Sequence, residues 1–311
     1  MIEAALVPQK PEPWYTLFNR LKSSETEAEA EFGEASLSSL RLMREPDLPV
    51  SLHVLNQLSA GAKRRLYRIL FPPELLMRFA INPITWQGPD GDQHVGLYAP
   101  PEKGVVRLTA RHAATATDPF SYLELADNGF NGIDVVLLVF SDPAGTRFDI
   151  DRSPAGESTL FGTVHRNHQA EWAAMQARLA PGQIRPGLRV SESAIQCLES
   201  FLTLLGHESV YGEPLTYVSA MLFERRGFAY VHGKRLMEQI DQEFRPGGRL
   251  HQALDGSTPF RQPDQWHTVR GRAWAIHDGI LAAIDQRWDG LRMVKRVGHH
   301  ANINTFPDGT Y

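Results

Sequence analysis

Cysteine is almost missing from this sequence. Of its 311 residues only Cys197 is one, which excludes an intrachain disulfide and any cysteine-rich zinc site and fits a reducing cytoplasm. Long apolar runs are missing too. The longest candidate, Val135-Val-Leu-Leu-Val-Phe140, is far too short to cross a bilayer and reads as a buried strand. The opening MIEAALVPQKPEPWY has no basic region followed by a sustained apolar stretch, so no secretory signal and no membrane contact are expected. A formal charge of -4 gives no broad electrostatic reason to bind nucleic acid, and Lys63-Arg-Arg65 reads as a solvated helix face. No fixed-period repeat, complete phosphate loop or serine-hydrolase elbow occurs.

What is present is ordinary globular material, 42% hydrophobic and 22% charged. A docking segment over residues 1–21, with Trp14, Tyr15 and Phe18, precedes an acidic stretch over 22–47 that reads as a linker because it holds too few large apolar residues to repay its ordering. A mixed α/β half is expected over 48–150 and a helix-rich half over 151–311, packed as one unit. The alternation in Val50-Ser-Leu-His-Val-Leu55 predicts a strand, and Ser59 caps a helix carrying Leu66, Ile69 and Leu70. Pro73 starts a further helix. His94–Tyr98 and Val105–Arg111 make a hairpin, Asp118-Pro119 opens a helix through Leu125, and Ile133–Phe140 is a strand.

Downstream, helices are expected over Asn167–Leu179, from a Ser193 cap with Gln196 as its capping-box partner to Gly206, over Arg235–Phe244, and over Trp274–Trp288. Cys197 falls inside the second and reads as a packing residue. The fold class is therefore α/β or α+β, a mixed central sheet flanked by helices.

Thr216-Tyr-Val-Ser-Ala-Met-Leu-Phe-Glu-Arg-Arg-Gly-Phe228 reads as a helix stopped by a glycine before a short strand. This helix, with the region from Gly182 to Gly233, resembles the GNAT-type acyl-CoA N-acyltransferases, in which N-x-x-A-x-x-L-Y is followed by E-x-x-G-F. The resemblance implies an acyl-CoA cosubstrate, with the family's Asn at Thr216, its Ala at Ser219 and its Tyr at Phe223. The packing residues are kept, but Phe223 has no proton to give a departing thiolate. The family's pyrophosphate loop would fall at Gln183-Ile-Arg-Pro-Gly-Leu188, making Gln183, Arg185 and Gly187 cofactor-binding candidates, although this stretch has one residue too many before its glycine.

Twelve histidines are more than expected. His165, His168 and Glu171 recur at three-residue steps, so on a helix they share one broad face; a polar outer face opposite Trp172 and Met175 is the plainer reading, and a site for iron or zinc the sharper one. His207, Glu208 and Glu213, near turns, are candidate bases, and His277 is a candidate proton shuttle, reserve metal ligand or buried neutral histidine. Five arginines lie between Arg245 and Arg272. Of these, Arg245, Arg249 and Arg261 are candidates to clamp the anionic part of a small-molecule substrate or cofactor, unless their glycine-rich loops are simply turns.

Three functions follow as expectations. The first is an intracellular acyltransferase-like enzyme using acyl-CoA or another anionic cosubstrate. The second is a His/carboxylate metalloenzyme, and the third a noncatalytic ligand-binding or scaffold protein. A homo-oligomer is compatible with each.

Overall fold

The computed structural model describes residues 48–153, 156–159 and 166–311. The chain divides into two compact units, Met1–Val50 and Ser51–Tyr311, and everything below concerns the second. The docking segment and acidic linker expected over 1–47 lie outside the described residues, as does His165.

The second unit is built on a seven-stranded mixed sheet flanked by helices. In chain order come α1 (Leu52–Asn56), α2 (Ala60–Tyr67), α3 (Pro73–Arg78), β1 (Val95–Tyr98), β2 (Val105–Ala110), β3 (Ser121–Asp127) and β4 (Ile133–Phe140). Then follow α4 (His168–Gln176), α5 (Ser191–Leu205), β5 (Ser209–Gly212), α6 (Tyr217–Arg225), β6 (Ala229–His232), α7 (Lys234–Phe244), α8 (Arg249–Gln252), α9 (Val269–His277) and β7 (Arg292–Arg296). The strand order is β1-β2-β3-β4-β5-β7-β6, antiparallel throughout except for β4 and β5, which run parallel.

Strand alternation decides which face is buried. Val106, Leu108 and Ala110 of β2, Leu123 and Leu125 of β3, and Ile133 and Val135 of β4 point into the core, while Arg107, Tyr122 and Glu124 point the other way. α5 buries Ile195, Leu198, Phe201, Leu202 and Leu205 at helical spacing, each contributing roughly 1.5–3 kcal/mol. Gly206, in the left-handed region at φ 80°, stops it. The Cys197 thiol is buried among these side chains, and burial pushes its pKa up to about 12, as suits a packing residue. Asn56 ties the N-terminal helices to the β1–β2 hairpin. Its amide donates to the carbonyls of Lys103 and Val105 and its oxygen accepts from Tyr67 Oη at 2.6 Å.

Four local expectations are corrected. The segment from Leu52 to Asn56 is helical, because the Ser51 side chain accepts from Val54 N and the Asp127 carboxylate, far along the chain, accepts from Leu52 N and His53 N. Residues 121–127 form β3 instead of continuing a helix from Asp118, whose carboxylate instead accepts from Arg147. α5 starts two residues before Ser193, whose hydroxyl donates back to Val190 O, so there is no capping box. Helix α9 ends at His277, since Gly279 (φ 80°) breaks it and only a 3-10 turn over Ile280–Ile284 follows.

Candidate functional site

The parallel pair at the centre of the sheet is short. β5 pairs with β4 only at Ile133, Val135 and the Asp134 between them, after which β5 leaves at Gly212 while β4 runs on to Phe140. Beyond that point the same edge of β4 is met by the segment 186–188: Leu188 N donates to Phe140 O, Asp142 N donates to Pro186 O, and Ser141 bridges to Gly187. Between these two partners lies an edge window, residues 136–139, with no strand paired to it among the described residues. The segment leads directly into α5, whose first residue is Ser191 and whose N-cap, Val190, supplies no side-chain hydrogen bond. The amide donors of this fifteen-residue helix thus begin three residues after the segment that meets the far end of the window.

A bulge distorts β4 at the same place. Glu124 is opposite Leu137 but Leu125 is opposite Val135, which leaves Val136 as an extra residue, 47% exposed. An insertion of this kind disrupts the ladder and re-aims the backbone groups beside it.

On the open face next to the bulge, Glu124 Oε2 accepts from Arg107 Nε at 2.9 Å and from Tyr122 Oη at 2.5 Å. The Arg107 guanidinium also lies over the rings of Tyr98 and Tyr122. Partial burial by itself raises the Glu124 carboxyl, but the hydrogen bonds from Arg107 and Tyr122 outweigh it and leave the pKa below the ordinary value. Burial, then the bond to Glu124, push the Tyr122 phenol up to about 12. At the exit of β5, Arg292 donates to Glu213 Oε1 at 3.0 Å and to Asp134 Oδ1 at 2.9 Å. Gly212 is needed there, because Phe223 lies 2.9 Å from where a Cβ would stand.

The other candidates from the sequence scatter or regroup. His207 is buried just after α5 and Glu208 is exposed beside it, its carbonyl accepting from Val297 N. Gln183 accepts from Ala180 N through its side chain, and Arg185 is anchored on Gly145 O at 2.6 Å. Arg245 pairs with Asp241 and, at 3.7 Å, with Asp308, and Arg249 pairs with Glu243.

Three candidates, Glu171, His277 and Arg261, meet in one part-buried network. Glu171 Oε1 is 2.9 Å from His277 Nε2, and Glu171 Oε2 accepts from Arg166 at 2.7 Å. Asp278 in turn accepts from Arg166, Arg261 and Thr258, each at 2.8 Å. For both carboxylates desolvation raises the pKa, but the hydrogen bonds win and hold it below the usual range. His168 remains 68% exposed and 3.9 Å from Glu171. Among the described residues no group of three His, Cys, Asp or Glu side chains is arranged to hold a metal ion.

Sequence reasoning missed Arg107, Tyr122 and Glu124. The signal was the alternation Ser121, Leu123, Leu125, which places Tyr122 and Glu124 together on the opposite face, but it was hidden by the helix expected from Asp118-Pro119. No helix among the described residues is long and apolar enough to cross a membrane. Comparisons with protein-family models, with curated proteins and with solved structures each give no match.

Proposed function

We propose that this protein transfers an acyl group from an acyl-CoA, bound along the edge window of β4, to an acceptor on the open sheet face. The observation that carries this reading is the parallel β4–β5 pair that parts after Val135 and Gly212, with the start of α5 three residues after the segment that meets the far end of the window. An extended arm containing amides adds to an unpaired strand edge through main-chain hydrogen bonds. The anionic pyrophosphate at the end of that arm is favoured by the free amide donors of a helix N-terminus. The two features are linked through the segment 186–188, which bonds to Phe140–Asp142 and leads into α5. The resemblance of the region from Gly182 to Gly233 to GNAT-type acyltransferases supports the same reading. Of its implied cofactor residues, Gly187 borders the window through its bridge to Ser141.

Within this reading the roles divide by position. Glu213, at the exit of β5, is the best placed of the bases suggested by sequence; its side chain is 67% exposed and its partner is Arg292. Phe223 stands beside Gly212 and stacks on Phe228, in the place where the resemblance implies a proton donor. With no hydroxyl there, the leaving thiolate takes its proton from solvent.

Isothermal titration of the full chain with acetyl-CoA and with CoA tests the proposal. Saturable binding of both is expected, and binding of neither sinks it. A noncatalytic ligand-binding protein gives the same heats but no thioester cleavage in the presence of a panel of amines.

A further inference from the structure

A second concavity lies beyond the end of β4, between the β2–β3 loop and the segment after Ser141. It is a cleft of about 290 Å³, lined by Arg147, Arg152, Arg185, His112, Asp118 and Asp149 together with apolar side chains such as Phe120. Two of its guanidiniums are fixed. Arg147 donates to Asp118 at 2.9 Å, to Asp151 at 2.8 Å and to Asp149, while Arg185 is held by Gly145 O at 2.6 Å and also donates to Asp118 at 3.5 Å. Arg152, His112 and Asp149 are exposed at its rim.

The lining carries charge of both signs facing one space: three guanidiniums and two carboxylates. Asp118 and Asp149 are paired with Arg147, and Asp118 also with Arg185, so a purely anionic ligand would compete with these carboxylates for the guanidiniums and a purely cationic one with the guanidiniums for the carboxylates. A ligand with both charges on neighbouring atoms satisfies the two sets together, because complementary placement is rewarded and like-charge juxtaposition is penalised. Arginine forks suit a carboxylate in particular.

From this charge pattern we propose that the cleft binds a free α-amino acid as its zwitterion, with the carboxylate toward Arg152 and Arg185 and the ammonium toward Asp149 and Asp118. This inference concerns binding alone and does not rest on acyl transfer.

The test is a thermal-shift screen of the full chain with the twenty common amino acids as probes, followed by calorimetry on the strongest. At least one is expected to raise the Tm. Its N-acetyl derivative, which lacks the ammonium, and its carboxamide, which lacks the carboxylate, are each expected to bind at least tenfold more weakly. Asp149→Asn, at the 64% exposed end of the Arg147 cluster, and Arg152→Gln, at an exposed position, are each expected to weaken binding at least tenfold while cooperative thermal unfolding is retained. No shift with any amino acid overturns the proposal. So does a singly charged derivative that binds as tightly as its parent, or a loss confined to one of the two variants.

Discussion

The two arginine–carboxylate clusters of this protein use the same residue types for opposite ends. Around Arg147, the partners Asp118 and Asp149 line an open cleft, and Asp149 is 64% exposed. Around Arg166, both carboxylates are buried, Glu171 at 3% and Asp278 at 8% side-chain exposure, and their oxygens are taken by Arg166, His277, Arg261 and Thr258. The first cluster leaves room for something else. The second fills its own space, tying α4, the loop before Arg261 and the end of α9 into one body. The lesson is that composition does not distinguish a site from a brace; solvent access and spare hydrogen-bonding capacity do.

The sharpest way to break this contrast is to remove one partner from each side. Glu171→Gln leaves Arg166 and His277 facing a neutral amide in a buried place, and a loss of about 3–5 kcal/mol is expected in urea unfolding. Asp149→Asn, at a side chain 64% exposed, is expected to cost no more than about 1 kcal/mol, since screened pairs contribute little. Equal costs would remove the distinction. His277→Ala should fall between them, at about 2 kcal/mol, because it strips one hydrogen bond from Glu171 while Arg166 remains.

Acid tests the brace in another way. Glu171 and Asp278 both have folded-state pKa values held below the unfolded ones, near 4.5 and 3.8. The stability they contribute is therefore complete above those unfolded values and is lost as pH falls through the lower, folded ones. Urea midpoints measured from pH 6 downward should drop once pH passes below about 4.5. In the double variant Glu171→Gln, Asp278→Asn that drop should be shallower; an unchanged slope would place the acid sensitivity elsewhere.

Much of the architecture was legible because its signals were local. The β1–β2 hairpin, β4, the stripe of α5 and its Gly206 stop, and α6 ending before Gly227 all follow from periodicity and caps over a few residues. What failed depended on distant partners. Leu52–Asn56 is capped by Asp127, and nothing within the segment itself announces that. The candidate site residues His277, Glu171 and Arg261 each looked notable alone, but only folding brings them together, in one network of hydrogen bonds through Arg166 and Asp278. The window in β4 was invisible for the same reason. It is defined by where β5 and the segment 186–188 stop, not by any residue type within it.

The smallest expected effect concerns the open face, which stands between the two clusters in character. Glu124 is partly exposed and bonded to Arg107 and Tyr122, so Glu124→Gln should change stability by no more than about 1 kcal/mol. Its signature is instead in the titration of Tyr122. Burial is the larger cause of that phenol's rise to about 12, and the Glu124 carboxylate the next. Removing the carboxylate's charge should therefore bring the Tyr122 pKa down toward, but not to, the ordinary 10.0 from which it is raised. A tyrosine ring-carbon NMR titration, with Tyr122 assigned through Tyr122→Phe, reads this directly. A fall makes Glu124 an electrostatic partner poised beside the bulge of β4, whereas an unmoved value would assign the shift to burial alone and leave the open face without a coupled acid–base pair.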